Sequence, residues 1–424
     1  DNKKNKQQTI PAAAIQYSQF SIQSSVFSIL YATLISATIV AVYGVLERMG
    51  IDSHLWVQDV QSRVFSTLGQ PNWLAAYIVA LIPLSWAMAI ESRIPLRPSE
   101  ALSEEGNTES RIKQIGYWTL SSLFFFVLLC TRSKSGLGAF VIIDVLFLGL
   151  LFWSSQQARK LQGLALKQIR IPFFVLHAAF LLIVFFNGIY VESFDKYFTF
   201  TALKNRFTFS SEKSAQQFNN PIIQQSAKPS APLLETGGTD SGVIRKYVWT
   251  GAITAWKSSI KTFLIGTGTE SFAFAFFQYR PKEHNLTSEW DFLYNKAHNE
   301  YVNFLTTTGI FGLISYLSIL GVFVVWFLQQ TCHPQPASPM PHRGEPDRGS
   351  SLDSRVRGND KAIPIALFAG WISILITNFF GFAVVITQVF LFLFPAIVFV
   401  LNEYRILNTE YRSFTFNLQY PYNK

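Results

Sequence analysis

Apolar residues along this chain gather into eight runs, at positions 22–46, 73–90, 115–130, 136–153, 171–190, 301–327, 363–378 and 382–401. A helix needs about 20 apolar residues to cross a bilayer, with about 17 as the usual lower limit. Six runs meet that length; the third and the seventh fall short of it. Lipid offers the backbone no hydrogen bonds, so each run satisfies its own as a helix. The pattern therefore predicts an all-α polytopic membrane protein with about eight transmembrane helices. Helices one to five occupy 1–190 and the sixth 301–327. The seventh and eighth lie within 363–402, and a tail follows over 403–424.

Charge in the short loops orients the bundle. Arg159, Lys160, Lys167 and Arg170 lie together without an acid between the fourth and fifth runs, which marks a cytoplasmic loop. Lys3, Lys4 and Lys6 put the N-terminus on the same side. Alternation then sends 47–72, 131–135 and 191–300 outside, and 91–114, 328–362 and 402–424 inside. The two cysteines, Cys130 and Cys332, fall on opposite sides and are not expected to pair. The chain opens on Asp1 with no signal peptide ahead of the first apolar run. That predicts a piece of a longer protein that has lost upstream helices.

The interruptions differ in kind. Residues 333–360 are rich in Pro, Arg, Asp, Gly and Ser, with too little apolar surface to pack, and should be disordered in the cytoplasm. In the large extracytoplasmic loop, 210–242 is polar and expected to be mobile. Over 243–266, apolar residues recur at three- and four-residue steps. This predicts an amphipathic helix lying along the outer leaflet, with Lys257 and Lys261 toward lipid headgroups. Gly266 and Gly268 end it.

Composition agrees with the pattern. The 424 residues are 49% hydrophobic, 16% aromatic and only 14% charged, against about 25% charged in ordinary soluble domains. Much of the net charge of +9 serves topology. The remaining cations suggest an anionic partner. They are dispersed between apolar runs rather than gathered in a stripe, which argues against nucleic acid.

Candidate chemistry concentrates where the outer loop meets the sixth run. His298 stands at that seam, where an imidazole is both wetted and held, and an imidazole near pH 6.5 accepts a proton from a hydroxyl. The bland alternative, a histidine anchoring the helix start, carries equal weight. Asn299 and Glu300 are placed to orient the ring. Arg245 and Arg280 offer planar forks for phosphate oxygens, and Trp249, one turn beyond Arg245, is placed to stack on it. Arg63, in the turn-forming stretch 63–72, approaches the same side, as do Arg132 and Lys134 in the hairpin Thr131-Arg132-Ser133-Lys134-Ser135. Cations on an outer hairpin run against short-loop statistics and point to function. His284 with Glu283, Glu289 and Asp291 matches no metal motif, so no metal is expected there and a solvated loop is the better reading. Asp144 and His177 lie within spans and are expected to face neighbouring helices. Asn285-Leu286-Thr287 is a sequon short enough to arise by chance.

In order and spacing, five stretches resemble the O-antigen ligase and polymerase superfamily: 63–77 (RVFSTLGQPNWLAAY), 131–136 (TRSKSG), 245–249, 266–272 (GTGTESF) and 296–312 (KAHNEYVNFLTTTGIFG). The resemblance runs from about residue 60 to 325. It implies a glycosyltransferase related to the GT-C fold. Members move a glycan from an undecaprenyl-pyrophosphate carrier to an acceptor hydroxyl outside a bacterial inner membrane, without cofactor and without metal. His298 matches the family's loop histidine, Arg245 a phosphate-binding arginine, and Arg63 the arginine of the earlier loop. Two departures stand out. Ser133-Lys134-Ser135 replaces Ser-Arg-Gly, which keeps a charge and loses the fork. Asn295-Lys296 stands where members often carry an Asp, removing a carboxylate partner for the histidine.

The expected reaction is an inverting transfer, His298 taking the acceptor proton while Arg245, Arg280, Arg63, Arg132 and Lys134 meet the pyrophosphate. The acceptor (lipid A core, a growing polysaccharide or a protein) is left open. The competing readings are a transporter of lipid-linked glycan and an inactive scaffold of the same family. A transporter wants cations lining a path through the spans, whereas here they sit at span ends.

Overall fold

The computed structural model describes residues 12–57, 59–92, 104–157, 163–205, 241–332 and 361–419. The expected disordered insert over 333–360 lies outside them, as does most of 210–242. Among the described residues the regular structure is helical, without strands: α1 (Ala12–Arg48), α2 (Pro71–Glu91), α3 (Glu104–Cys130), α4 (Lys134–Gln157), α5 (Gly163–Asn187), α6 (Glu192–Phe198), α7 (Ser241–Trp256), α8 (Ile260–Ile265), α9 (Phe272–Tyr279), α10 (Glu300–Cys332), α11 (Ala362–Phe379) and α12 (Val385–Gln419). Among the described residues, seven helices are long and apolar enough to cross a membrane. An eighth span results if α5 and α6, bent by 100° at Gly188–Val191, are one broken crossing. The expected eight runs are thus all helical, the two short ones included.

Two of these helices form the centre. α2 packs on α3, α4 and α11, and α11 packs in turn on α4 and α12. Nearly every α2 side chain from Leu74 to Ile90 is buried. Small residues bring the two axes together: a Cβ at Gly370 of α11 would lie 2.2 Å from the Ala80 carbonyl oxygen of α2. Close backbone approach through small residues is how helices associate where lipid removes the hydrophobic drive. Two buried indoles are paired across the bundle. Trp86 Nε1 donates to Ser121 Oγ at 2.7 Å, and Trp371 Nε1 to the Leu391 carbonyl at 2.9 Å. By contrast, α10 exposes Phe311, Ile314, Leu317, Ile319, Val322 and Val325, a face suited to lipid.

The loops after α1, α3 and α5 meet at one end of the bundle, and the loop between α11 and α12 meets the start of α10 there. Val64 N–H donates to the Cys130 carbonyl at 3.2 Å. Glu47, fully buried, accepts the N–H groups of Phe65 and Ser66 at 2.9 and 2.7 Å. That carboxylate is the clamp on the 63–72 turn.

At 33 residues, an unbroken α10 would run about 50 Å at about 1.5 Å per residue, against a hydrocarbon core of about 30 Å. It breaks at Gly309, where φ is +69°. The break frees carbonyls of the preceding turn, and another segment takes them: Thr267 N–H donates to Thr306 and Gly268 N–H to Thr307, both at 2.9 Å. Gly266, at φ +73°, meets Gly309 across this joint. A Cβ on Gly266 would lie 2.2 Å from the Thr307 carbonyl carbon, and one on Gly309 would lie 2.4 Å from Leu264. Only glycine tolerates both the positive φ and the contact. The two glycines staple the extramembrane layer to the top of α10.

The stretch 243–266 is not one helix. α7 ends at Trp256. α8 restarts with a capping box in which Ser259 and Thr262 satisfy each other's backbone N–H. Nor does the apolar face of α7 lie on lipid. Ile244, Val248 and Ala252 pack against Phe272, Phe276, Tyr294 and Ala297 in a small core of their own. The periodicity signals a buried face without saying what buries it.

Candidate functional site

The segment Tyr294–Glu300 carries the centre. Trp249 of α7 donates its indole N–H to the Ala297 carbonyl at 2.9 Å and packs on Phe379. Asn303 Oδ1 accepts the Ala297 N–H at 3.4 Å, and Asn299 Oδ1 caps α10 by accepting Val302 N–H at 3.0 Å. Between these anchors His298 takes a left-handed backbone, φ +54°. Non-glycine residues seldom adopt that conformation, and where they do it is costly and often functional.

The ring is held on three sides. Its Nδ1 faces the Lys296 carbonyl at 3.2 Å. A carbonyl can only accept, so the neutral tautomer carries its proton on Nδ1 and a lone pair on Nε2. The Tyr294 and Phe382 ring centres lie 5.3 and 5.2 Å from the imidazole centre, at interplanar angles of 71° and 89°. Nε2 has no protein partner among the described residues. Burial lowers the His298 pKa and the nearby Arg245 guanidinium lowers it further; the Lys296 carbonyl and Glu289 only partly oppose this. The balance keeps the imidazole neutral near pH 7, with its basic nitrogen available. The Arg245 charge is thus near enough to bear on the ring.

Other expected residues take different places. Asn299 and Glu300 do not orient the ring. Asn299 is a helix cap, and Glu300 Oε2 accepts Ala383 N–H at 2.9 Å, fixing the α11–α12 loop that presents Phe382. Trp249 serves the Ala297 carbonyl, a role its spacing from Arg245 did not suggest. Lys296 pairs with Glu270, which gives that cation a carboxylate even though Asn295 supplies none. Arg280 donates to the Trp290 carbonyl at 2.8 Å and bears on His284. His284 is not in a solvated loop. It is fully buried between Phe276 and Tyr294, neither ring nitrogen having a protein partner, and burial lowers its pKa. Asp144 and His177 face each other inside the bundle at 3.1 Å.

A second cationic cluster occupies the same end. Arg63 Nε donates to the Thr131 carbonyl at 3.2 Å. Arg132, also left-handed at φ +51°, donates to Ser62 Oγ at 3.0 Å and lies 4.1 Å over the Tyr190 ring. Arg48, not singled out by the sequence, reaches Tyr190 Oη at 3.0 Å and the Gln61 carbonyl. Lys134 opens α4 with an exposed side chain. Trp73 joins the two clusters. It follows Asn72, which Arg63 approaches, and its ring packs 6.0 Å from Phe382. Neither Trp73 nor Phe382 belongs to a polar motif, and only the fold brings them to His298.

Among the described residues, no group of three or more His, Cys, Asp or Glu side chains is placed to hold a metal ion. A family model described as O-antigen ligase matches residues 119–317, from within α3 to within α10. That stretch contains His298, Arg245, Arg132 and Lys134. No curated protein matches the chain.

Proposed function

We propose that this chain, which belongs to the O-antigen ligase family, transfers a glycan from undecaprenyl pyrophosphate to an acceptor hydroxyl at the outer face of a bacterial inner membrane. One observation supports the reading: His298 is braced through Nδ1 at the Lys296 carbonyl, Nε2 has no protein partner among the described residues, and the Arg245 charge bears on the ring. An imidazole held so is a base with a fixed direction.

In this reaction the acceptor oxygen attacks the anomeric carbon as the bond to the pyrophosphate oxygen breaks. Its proton passes to His298 Nε2. The electron pair leaves with the lipid pyrophosphate, whose new charge meets the Arg245 guanidinium. Attack opposite the leaving group inverts the anomeric centre. The electrostatic share is the larger one, since a pyrophosphate leaves readily once its charge is met. With chain cations meeting that charge, the step is written without a metal. The basic residues between α4 and α5 support an outward-facing centre, since cations favour cytoplasmic loops.

The test is transfer of lipid-linked glycan in proteoliposomes. The reading expects His298→Ala and Arg245→Ala each to cut turnover at least about a hundredfold while the protein stays folded. Wild-type turnover in both variants would end it.

A further inference from the structure

Between the two cationic clusters lies a surface that the proposed transfer has not used. Trp73 stands in the first turn of α2, half-buried. Of the nine other indoles, five donate to protein acceptors: Trp56 to Asp52, Trp86 to Ser121, Trp249 to Ala297, Trp256 to Phe263 and Trp371 to Leu391. Trp73 Nε1 donates to no protein group among the described residues. Three residues earlier, Gln70 caps α2 with its backbone carbonyl, which accepts Trp73 and Leu74 N–H at 3.0 and 3.2 Å. Its side-chain Oε1 is buried with no protein partner. A buried acceptor without a partner costs about 1–3 kcal/mol and needs an explanation.

One turn thus carries a donor and an acceptor that the protein leaves unfilled, beside an aromatic face. Phe382 packs against Trp73 on one side and against His298 on the other. Arg63 reaches Asn72 in the same turn. The chemistry that fits is a sugar ring. Its C–H face is apolar and flat enough to lie on an indole, while each hydroxyl both donates and accepts. A lipid tail would leave the polar groups unfilled, and a free phosphate has no use for the aromatic face.

We propose that Trp73, with Gln70 and Phe382, forms a sugar subsite of this centre that holds the ring adjoining the transferred bond. The inference rests on the transferase reading for its place in the reaction, but the subsite binds glycan whether or not transfer occurs. Trp73 is a binding residue that acts chiefly on affinity.

The experiment uses the full chain and two probes: lipid-linked glycan extracted from the host strain, and the same glycan released from its carrier by mild acid. Trp73→Ala should raise KM for the lipid-linked glycan about tenfold, the ratio that about 1.4 kcal/mol of lost stacking and hydrogen bonding gives, with kcat within about threefold. Trp73→Phe keeps the face without the N–H and should fall between wild type and Trp73→Ala. Gln70→Ala should raise KM by a smaller factor. Saturation-transfer NMR should show the released glycan bound to wild type and lost from Trp73→Ala. If the wild type binds released glycan through Trp73 yet transfers nothing, the transferase reading fails and the subsite stands. If Trp73→Ala leaves both KM and glycan binding at wild-type values, the subsite is overturned and the transferase reading is untouched.

Discussion

Two arginine-containing groups share one end of this molecule and are handled in different ways. In the Arg48–Arg63–Arg132 group each guanidinium bonds to the protein, at the Gln61 and Thr131 carbonyls, the Ser62 and Tyr190 hydroxyls and the Tyr190 ring, and only Arg132 Nε among their buried nitrogens has no partner among the described residues. In the His298–Arg245 group the scaffold works just as hard, through Trp249, Asn299, Asn303 and Phe382. Yet it stops short of the reactive atom and leaves Nε2 open. On the proposed function, the difference separates positions that hold loops together from positions that do chemistry, which charge alone does not do.

The largest effect that sharpens this contrast is at His298. His298→Gln should lower turnover by about 10²–10⁴-fold, the usual worth of a general base, with an unchanged melting temperature. A parallel loss of stability would move His298 to the structural side. Next comes the joint on which the centre is built. Gly309→Ala puts a methyl against Leu264 and forces an L-residue to φ +69°. It should destabilise by about 3 kcal/mol or more, read as a lower melting temperature in detergent. An unaltered melt would mean that the extramembrane layer is not stapled there.

A smaller and more diagnostic pair is Arg132→Lys against Arg245→Lys. The first loses the fork to Ser62 and the stacking on Tyr190, so stability should fall by about 1–2 kcal/mol with kcat nearly unchanged. The second should do the reverse. Equal effects on kcat would erase the distinction between the clusters.

The smallest effect is a pH dependence of stability at His284. Its folded pKa lies below the ordinary 6.5, because burial and Arg280 disfavour the charged form. Below pH 6.5 the unfolded chain therefore takes up the proton first. The contribution is fully present above that pH and is lost as pH falls. His284→Phe, an aromatic fit between Phe276 and Tyr294, should flatten the low-pH limb of a melting-temperature profile. An unchanged slope would show that His284 does not carry it.

The sequence makes the spans legible because lipid imposes a length and a composition that survive in one dimension. Even the short runs at 115–130 and 363–378 belong to real helices, α3 and α11. Rank within the bundle is not legible. α2 and α10 are both strongly apolar, but one is enclosed by helices and the other faces lipid, and that depends on neighbours far along the chain. The same limit applies to the centre. His298 and Arg245 stand out because chemistry-bearing side chains at a span edge are rare. The roles of Glu47, Trp73, Phe382 and buried His284 were not legible, since they come from partners 18 to more than 300 residues away, or from burial that no local period encodes. The reading of 243–266 failed in a related way: Lys257-Ser258-Ser259 hides a stop and a capped restart inside a continuous apolar rhythm.

The most direct measurement of the central claim is the pH profile of kcat/KM for glycan transfer in proteoliposomes. Activity needs neutral His298, whose pKa is pushed below 6.5 by burial and by Arg245. The rate should therefore hold as pH falls through 6.5 and drop only further down. That acid limb should vanish from the residual activity of His298→Gln. An acid limb centred at or above 6.5, or one that survives unchanged in His298→Gln, would contradict the account.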